Sequence, residues 1–254
     1  MLDIEPDGGA GALYGTHDAP DDVDGSVIDA RKDGPAGRRL VRSDLAGNHA
    51  TAAGISGRRI RGRDGSHLSA TLAGNVDDLA QILRRELYKP GGVEVRLGNT
   101  IASGRSSWTV GDLASLERAN RASRSGGHRA TMWMVYVDGS FAENPNALAI
   151  SYSASAAAIF RDRLGDAASS LVTEPEIERS VITHEAGHLL ALVNIGYRSR
   201  YDHEDPDHPH HSNDKNSVMY WAVEDISIRN ILRGGPPDDF DTADRADLAM
   251  LRGA

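Results

Sequence analysis

The sequence predicts an α/β (α+β) domain: a twisted mixed sheet of about four or five strands with helices packed on it, one helix long and strongly capped, preceded by a disordered arm. Three observations carry that prediction. From residue 67 onward, short apolar runs alternate with turn signals, as strands do. Between them lie segments with an apolar stripe at helical spacing. The first 65 residues, by contrast, hold 12 of the 27 glycines and one aromatic, Tyr14, too little apolar surface to offset the entropy of ordering the chain.

The arm, residues 1–65, divides by charge. Residues 1–30 carry eight acidic and no basic side chains, and residues 31–65 carry nine basic and three acidic ones, including Arg58, Arg59, Arg61 and Arg63. A solvated tail is the expectation, with a docking, targeting or propeptide-like role as the alternative and binding of the arginine-rich stretch 38–63 to an acidic partner as a further one. The domain, 66–254, then opens with a strand at 67–73 and a helix at 76–88 that places Leu79, Ile82, Leu83 and Leu87 on one face. A strand at 93–97 and a helix at 109–122, with Leu113, Leu116 and Val110 inward, follow. The run TMWMVYV at 131–137 is the most strand-like segment, 147–153 alternates as a shorter strand, and 156–164 fits a strand or a short helix. Phe240 to Leu251 reads as a closing helix with Thr242 as its N-cap.

Composition removes several function classes. The 254 residues carry 37 acidic and 28 basic side chains, a net charge of −9, so no overall positive field draws nucleic acid or an anionic membrane. No nucleic-acid partner is expected, and the arginine-rich stretch lacks the interleaved aromatics of a base-stacking surface. No spanning apolar segment and no signal peptide are visible, so the expected location is cytoplasmic by default and the expected state a monomer. With no cysteine, a metal must rest on histidine and carboxylate. Six of the ten histidines fall between 184 and 211.

A helix starts just before them. Thr173, Glu174, Pro175 and Glu176 form a capping box with proline in the first turn, and apolar positions then repeat to a stop at Gly196. Within it lies His184-Glu185-Ala186-Gly187-His188. The four-residue step leaves the two imidazoles about 40° apart around the helix axis, so both reach one ion. Glu185 stands about 100° from His184, where its carboxylate reaches a water on that ion without being a ligand. The pattern fits zinc-assisted hydrolysis. A catalytic zinc needs a third protein ligand, and the loop after Asn194 offers His203, His208, His210 and His211. A second metal on His203, Asp205 or Asp207 is a further possibility in that loop.

These residues resemble the metzincin zinc peptidases, whose motif HExxHxxGxxH is followed by a methionine-containing turn beneath the metal. The match covers His184, Glu185 and His188, and Ser217-Val218-Met219-Tyr220 looks like the methionine turn. Two positions depart: the family glycine is Ala191 and the family third histidine is Asn194. The archaemetzincin pattern, a histidine and a cysteine, four residues, then Cys-x-Met, is similar to His211-Ser212, four residues, then Ser217-Val218-Met219. The resemblance therefore implies His211 as the third ligand, with His203 as runner-up. Serines 212 and 217 replace the family's cysteines, so its second, cysteine-bound zinc is not carried over. Without glycine at 191, the helix is expected to continue to Ile195 and reverse at Gly196. Asn194 on that extension would face the ion poorly.

The expected activity is peptide-bond hydrolysis with Zn²⁺ as cofactor, Glu185 as general base and a peptide or protein as substrate. By the same resemblance, 147–153 is the edge strand along which an extended substrate lies. The competing expectation is a catalytically inactive zinc-binding interaction module in which the metal only staples the loop to the helix.

Overall fold

In the computed structural model the described residues are 52–60, 68–101, 103–126, 129–226, 228 and 235–252. A five-stranded sheet runs in the order β2-β1-β4-β7-β6, formed by β1 (Ala52–Ile60), β2 (Val93–Ile101), β4 (Arg129–Val137), β6 (Ala149–Ser153) and β7 (Ala156–Phe160). The pairs β1/β2, β1/β4 and β4/β7 are parallel, and β6 joins β7 antiparallel at one edge. Two short parallel strands, β3 (Ser107–Trp108) and β5 (Ser140–Phe141), pair separately. The helices are α1 (Leu68–Glu86), α2 (Val110–Asn120), α3 (Arg161–Ala167), α4 (Glu174–Leu189) and α5 (Thr242–Arg252), with a 3₁₀ turn at Trp221–Glu224.

The central strand β4 explains the architecture. Its side chains alternate, Met132, Met134 and Tyr136 joining one core with α1 and α4, and Trp133, Val135 and Val137 joining a second with Trp108, Leu113 and Phe160. Both faces of the sheet are covered, so a central parallel strand reads as an unbroken apolar run. On the second face, Val110 and Leu116 of α2 pack half-buried beside the fully buried Leu113. The ambiguous stretch 156–164 is both things at once: β7 ends at Phe160 and α3 starts at Arg161.

Three expectations change. The sheet takes in residues 52–60, which composition assigned to the arm; this strand is held by backbone pairing to β2 on one side and β4 on the other. The rest of the arm, 1–51 and 61–65, lies outside the described residues. The strand expected at 67–73 is instead, from Leu68, the first turns of α1. The stripe Leu68, Leu72, Val76, Leu79, Leu83 continues one helical period back through that segment, and over so few residues it mimics alternation. In α5, Asp241 rather than Thr242 is the cap: the Asp241 carboxylate accepts from the Asp244 N–H at 2.8 Å, and Asp244 returns the bond to the Asp241 N–H at 3.1 Å.

Among the described residues no helix is long and apolar enough to cross a membrane.

Candidate metal centre

Helix α4 begins as its sequence dictates. The Glu176 carboxylate accepts from the Thr173 backbone N–H at 2.8 Å and from its hydroxyl at 2.7 Å, and Pro175 fills the first turn where no N–H is needed. The helix packs against α1, α3, β6, β7 and the 3₁₀ turn, which buries its whole second half.

Its end departs from expectation. The helix stops at Leu189, and Ala191 takes φ 66°. The Leu192 N–H donates to Gly187 O at 3.0 Å and the Ala191 N–H to His188 O at 2.9 Å, a Schellman closure with alanine where glycine usually stands. A left-handed alanine costs about 1 kcal/mol. Burial explains why the chain accepts it. Leu189, Leu190, Ala191, Leu192 and Val193 are each 1% exposed or less, and a continuing helix would turn some of them outward. Each aliphatic side chain kept inside is worth about 2 kcal/mol. Asn194 is therefore off the helix; its amide donates to Glu204 and accepts from the Ser199 N–H, tying the loop to itself.

The loop returns to the helix along a short backbone ladder. The Asp205 N–H donates to His211 O at 2.7 Å, the Asn213 N–H to His203 O at 2.8 Å, and the Ser212 N–H to Met219 O at 2.7 Å. The last of these physically fixes the register between His211 and Met219. Met219 itself is fully buried, and its sulfur lies so close to Gly187 that a Cβ there would overlap it, with Phe240 Cε1 at 3.2 Å closing the other side. Glycine between the two histidines is thus what lets the turn 217–220 sit beneath them. The Ser217 hydroxyl anchors that turn to Asp244, a carboxyl pushed up to about 7 by burial and by Asp241.

Four buried side chains converge above the turn: His184, His188, His211 and Glu224 offer ligand atoms all within 4.8 Å of one another. His184 Nε2 lies 2.9 Å from His188 Nε2 and 3.7 Å from Glu224 Oε2, and His211 Nε2 lies 3.3 Å from Glu224 Oε1. A tetrahedral ion with bonds of about 2.05 Å spaces its ligand atoms about 3.3 Å apart, which these distances bracket. The ring nitrogens agree. His184 Nδ1 faces Val218 O at 2.7 Å and His211 Nδ1 faces Pro209 O at 3.1 Å. A carbonyl only accepts, so each Nδ1 carries the proton and Nε2 is the ring nitrogen left to face an ion. Of the buried polar atoms among the described residues that lack a hydrogen-bond partner, three, His211 Nε2, Glu224 Oε2 and Glu185 Oε1, gather in this one place. Lone pairs gathered without donors are what a bound cation satisfies. The residues fit a metal ion.

Glu185 is fully buried next to the group but outside it. The Ser151 hydroxyl on edge strand β6 donates to its Oε2 at 2.6 Å. Burial and the neighbouring Glu224 charge push the Glu185 carboxyl up to about 8, against the pull of His184 and Ser151. Burial also raises Glu224, but the His211 and His184 imidazoles outweigh it and hold that carboxyl well below its ordinary range. Two buried carboxyls thus sit side by side with their acidities driven apart.

His203, the runner-up, is elsewhere: its Nε2 meets Asp247 Oδ2 of α5 at 2.9 Å. His208 pairs with Asp205 at 2.9 Å and stacks on Trp221 at 4.4 Å, and His210 faces Glu204 at 3.5 Å. Among the described residues one metal-competent group is formed, and no second site assembles around His203, Asp205 or Asp207. Sequence reasoning missed Ser151 and Glu224. The only trace of Glu224 in the sequence is that, with Asp225, it closes the apolar or aromatic run Met219 to Val223, which does not single it out.

No family model matches the chain, and no curated protein matches it in sequence. Among solved structures it is similar to metalloproteinase-II from Bacteroides fragilis, with a TM-score of 0.45 and 12% identity over 82% of this chain. The match covers 55% of that protein, so the chain spans about half of its length.

Proposed function

We propose that the chain is a zinc-dependent endopeptidase with His184, His188 and His211 as metal ligands and Glu185 as general base. The observation that carries this reading is the Glu185 carboxylate, buried beside three converging imidazoles, outside the ligand group and held by Ser151. A metal present only for structure has no use for such a group. Three imidazoles with a carboxylate suit zinc among the available metals. When bound, the ion supplies Lewis acidity toward the scissile carbonyl.

The remaining chemistry belongs to the chain. His184 and His211 are held in their binding tautomer by Val218 O and Pro209 O. The Ser151 hydroxyl fixes the Glu185 carboxylate, which takes a proton from the attacking water and returns it to the leaving amine nitrogen. Edge strand β6 offers main-chain groups to an extended peptide, a mode that gives loose sequence preference. Met219 beneath Gly187 plays the part of the metzincin methionine turn, packing under the ligands rather than touching substrate.

The test is Glu185→Gln. The variant is expected to keep one zinc per chain by elemental analysis and to lose at least about 10²-fold in cleavage of a quenched fluorescent peptide library. Undiminished cleavage removes Glu185 from the reaction. A second reading, an inactive metal-stapled module, is favoured by one observation: Glu224 makes four protein ligands, as closed structural zinc sites have. That reading predicts bound zinc with no cleavage in either protein.

A further inference from the structure

Glu224 is the member of the group that the proposed chemistry leaves unexplained. A catalytic zinc keeps one coordination position for water or substrate, and here the Glu224 carboxylate adds a fourth ligand atom to the three imidazoles. The Glu224 oxygens lie 3.3 Å from His211 Nε2 and 3.7 Å from His184 Nε2, with the side chain 6% exposed. It differs from Glu185 in its attachments. Glu185 is held by the Ser151 hydroxyl of β6, whereas the groups facing the Glu224 carboxylate are the two imidazoles themselves.

The backbone around Glu224 is fastened as a short strap. Its carbonyl accepts from the Leu148 N–H at 2.7 Å, the Ile226 N–H donates to Asn146 O at 3.0 Å, and Ala147 and Asp225 form an antiparallel bridge. The strap therefore pairs with the stretch that leads directly into edge strand β6. Two backbone hydrogen bonds join the strap to residues 146 and 148, and its 3₁₀ turn, Trp221–Glu224, packs on α4 with Val223 fully buried.

Resting on the peptidase reading, we infer that Glu224 is a resident fourth ligand that keeps the metal centre shut, and that a peptide carbonyl or a small anion binds only after the 221–226 strap has carried this carboxylate away. The chain thereby holds its own competitor for the open position, and the apparent affinity for any outside ligand is reduced by the fraction of molecules whose strap is released.

Cobalt(II)-loaded full-length protein tests this, because the visible spectrum of cobalt reports its ligands independently of turnover. The wild-type spectrum is expected to stay unchanged on titration with azide, while Glu224→Ala and the isosteric Glu224→Gln shift with azide and cleave peptide about tenfold or more faster than wild type. Circular dichroism establishes folding, and Glu224→Gln carries the comparison if the alanine variant unfolds. An azide shift in wild type at the concentrations that shift the variants overturns the strap, as does failure of wild type to bind cobalt. If the spectra behave as expected but no Glu185-dependent cleavage occurs in any protein, the fourth ligand stands and the peptidase reading falls. If wild type cleaves as fast as both variants and shifts with azide, the peptidase reading stands and the strap falls.

Discussion

His203 and His211 lie in one loop, both buried, with the same chemistry available to each, and they do opposite things. His203 spends its Nε2 on Asp247 and so ties the loop to α5. His211 gives only Nδ1 to a backbone carbonyl and leaves Nε2 pointing at His184, His188 and Glu224. A structural histidine and a candidate ligand are separated here not by residue type or burial but by which nitrogen already has a partner.

The two histidines are told apart most visibly by His203→Ala. Removing one partner of a buried pair leaves Asp247 uncompensated, and a loss of about 3 kcal/mol is expected from urea unfolding, with zinc content unchanged. The loss should depend on pH. Asp247 raises the His203 pKa, so that contribution is whole below the unfolded histidine value, about 6.5, and disappears as pH rises through the raised folded value. Asp247 resists protonation through burial outweighed by bonds from His203 and Ser199, so its contribution is whole above about 3.9 and disappears as pH falls through the lowered folded value. The difference between wild type and variant is therefore largest between about pH 4 and 6.5. A difference that is flat with pH contradicts the ion pair.

On the ligand side, Gly187→Ala sharpens the role of the turn. A helix-interior alanine usually stabilises by about 1 kcal/mol, but here its Cβ must displace the Met219 sulfur, and a net loss of about 2 kcal/mol is expected. A stabilised variant would show that Met219 does not press on the helix. The smallest effect expected is a gain: Ala191→Gly relieves the left-handed alanine at φ 66° and should add about 1 kcal/mol in the same unfolding experiment.

What the sequence disclosed follows the range of the forces involved. The start of α4 was legible because a capping box and a proline act within one turn. Strand β4 was legible because in the run Met132 to Val137 every side chain meets one core or the other. Strand β1 was not, since its glycines and arginines give no pattern and its place depends on parallel backbone pairing with β2 and β4, brought close only by the whole fold. The turn at Ala191 was misread for a similar reason: a propensity rule extends the helix, while burial of the surrounding leucines and Val193 ends it. His211 could be chosen by its spacing from Met219, which the Ser212 to Met219 bond makes physical, but no local pattern brings Glu224 back over the helix.

Convergence of His184, His188 and His211 on one metal is measured by the zinc content and affinity of the wild type beside His211→Ala and His203→Ala. One zinc is expected in wild type and in His203→Ala with similar affinity, and an affinity lower by about 10²-fold or more in His211→Ala. Loss of zinc from His203→Ala with full retention in His211→Ala would contradict it.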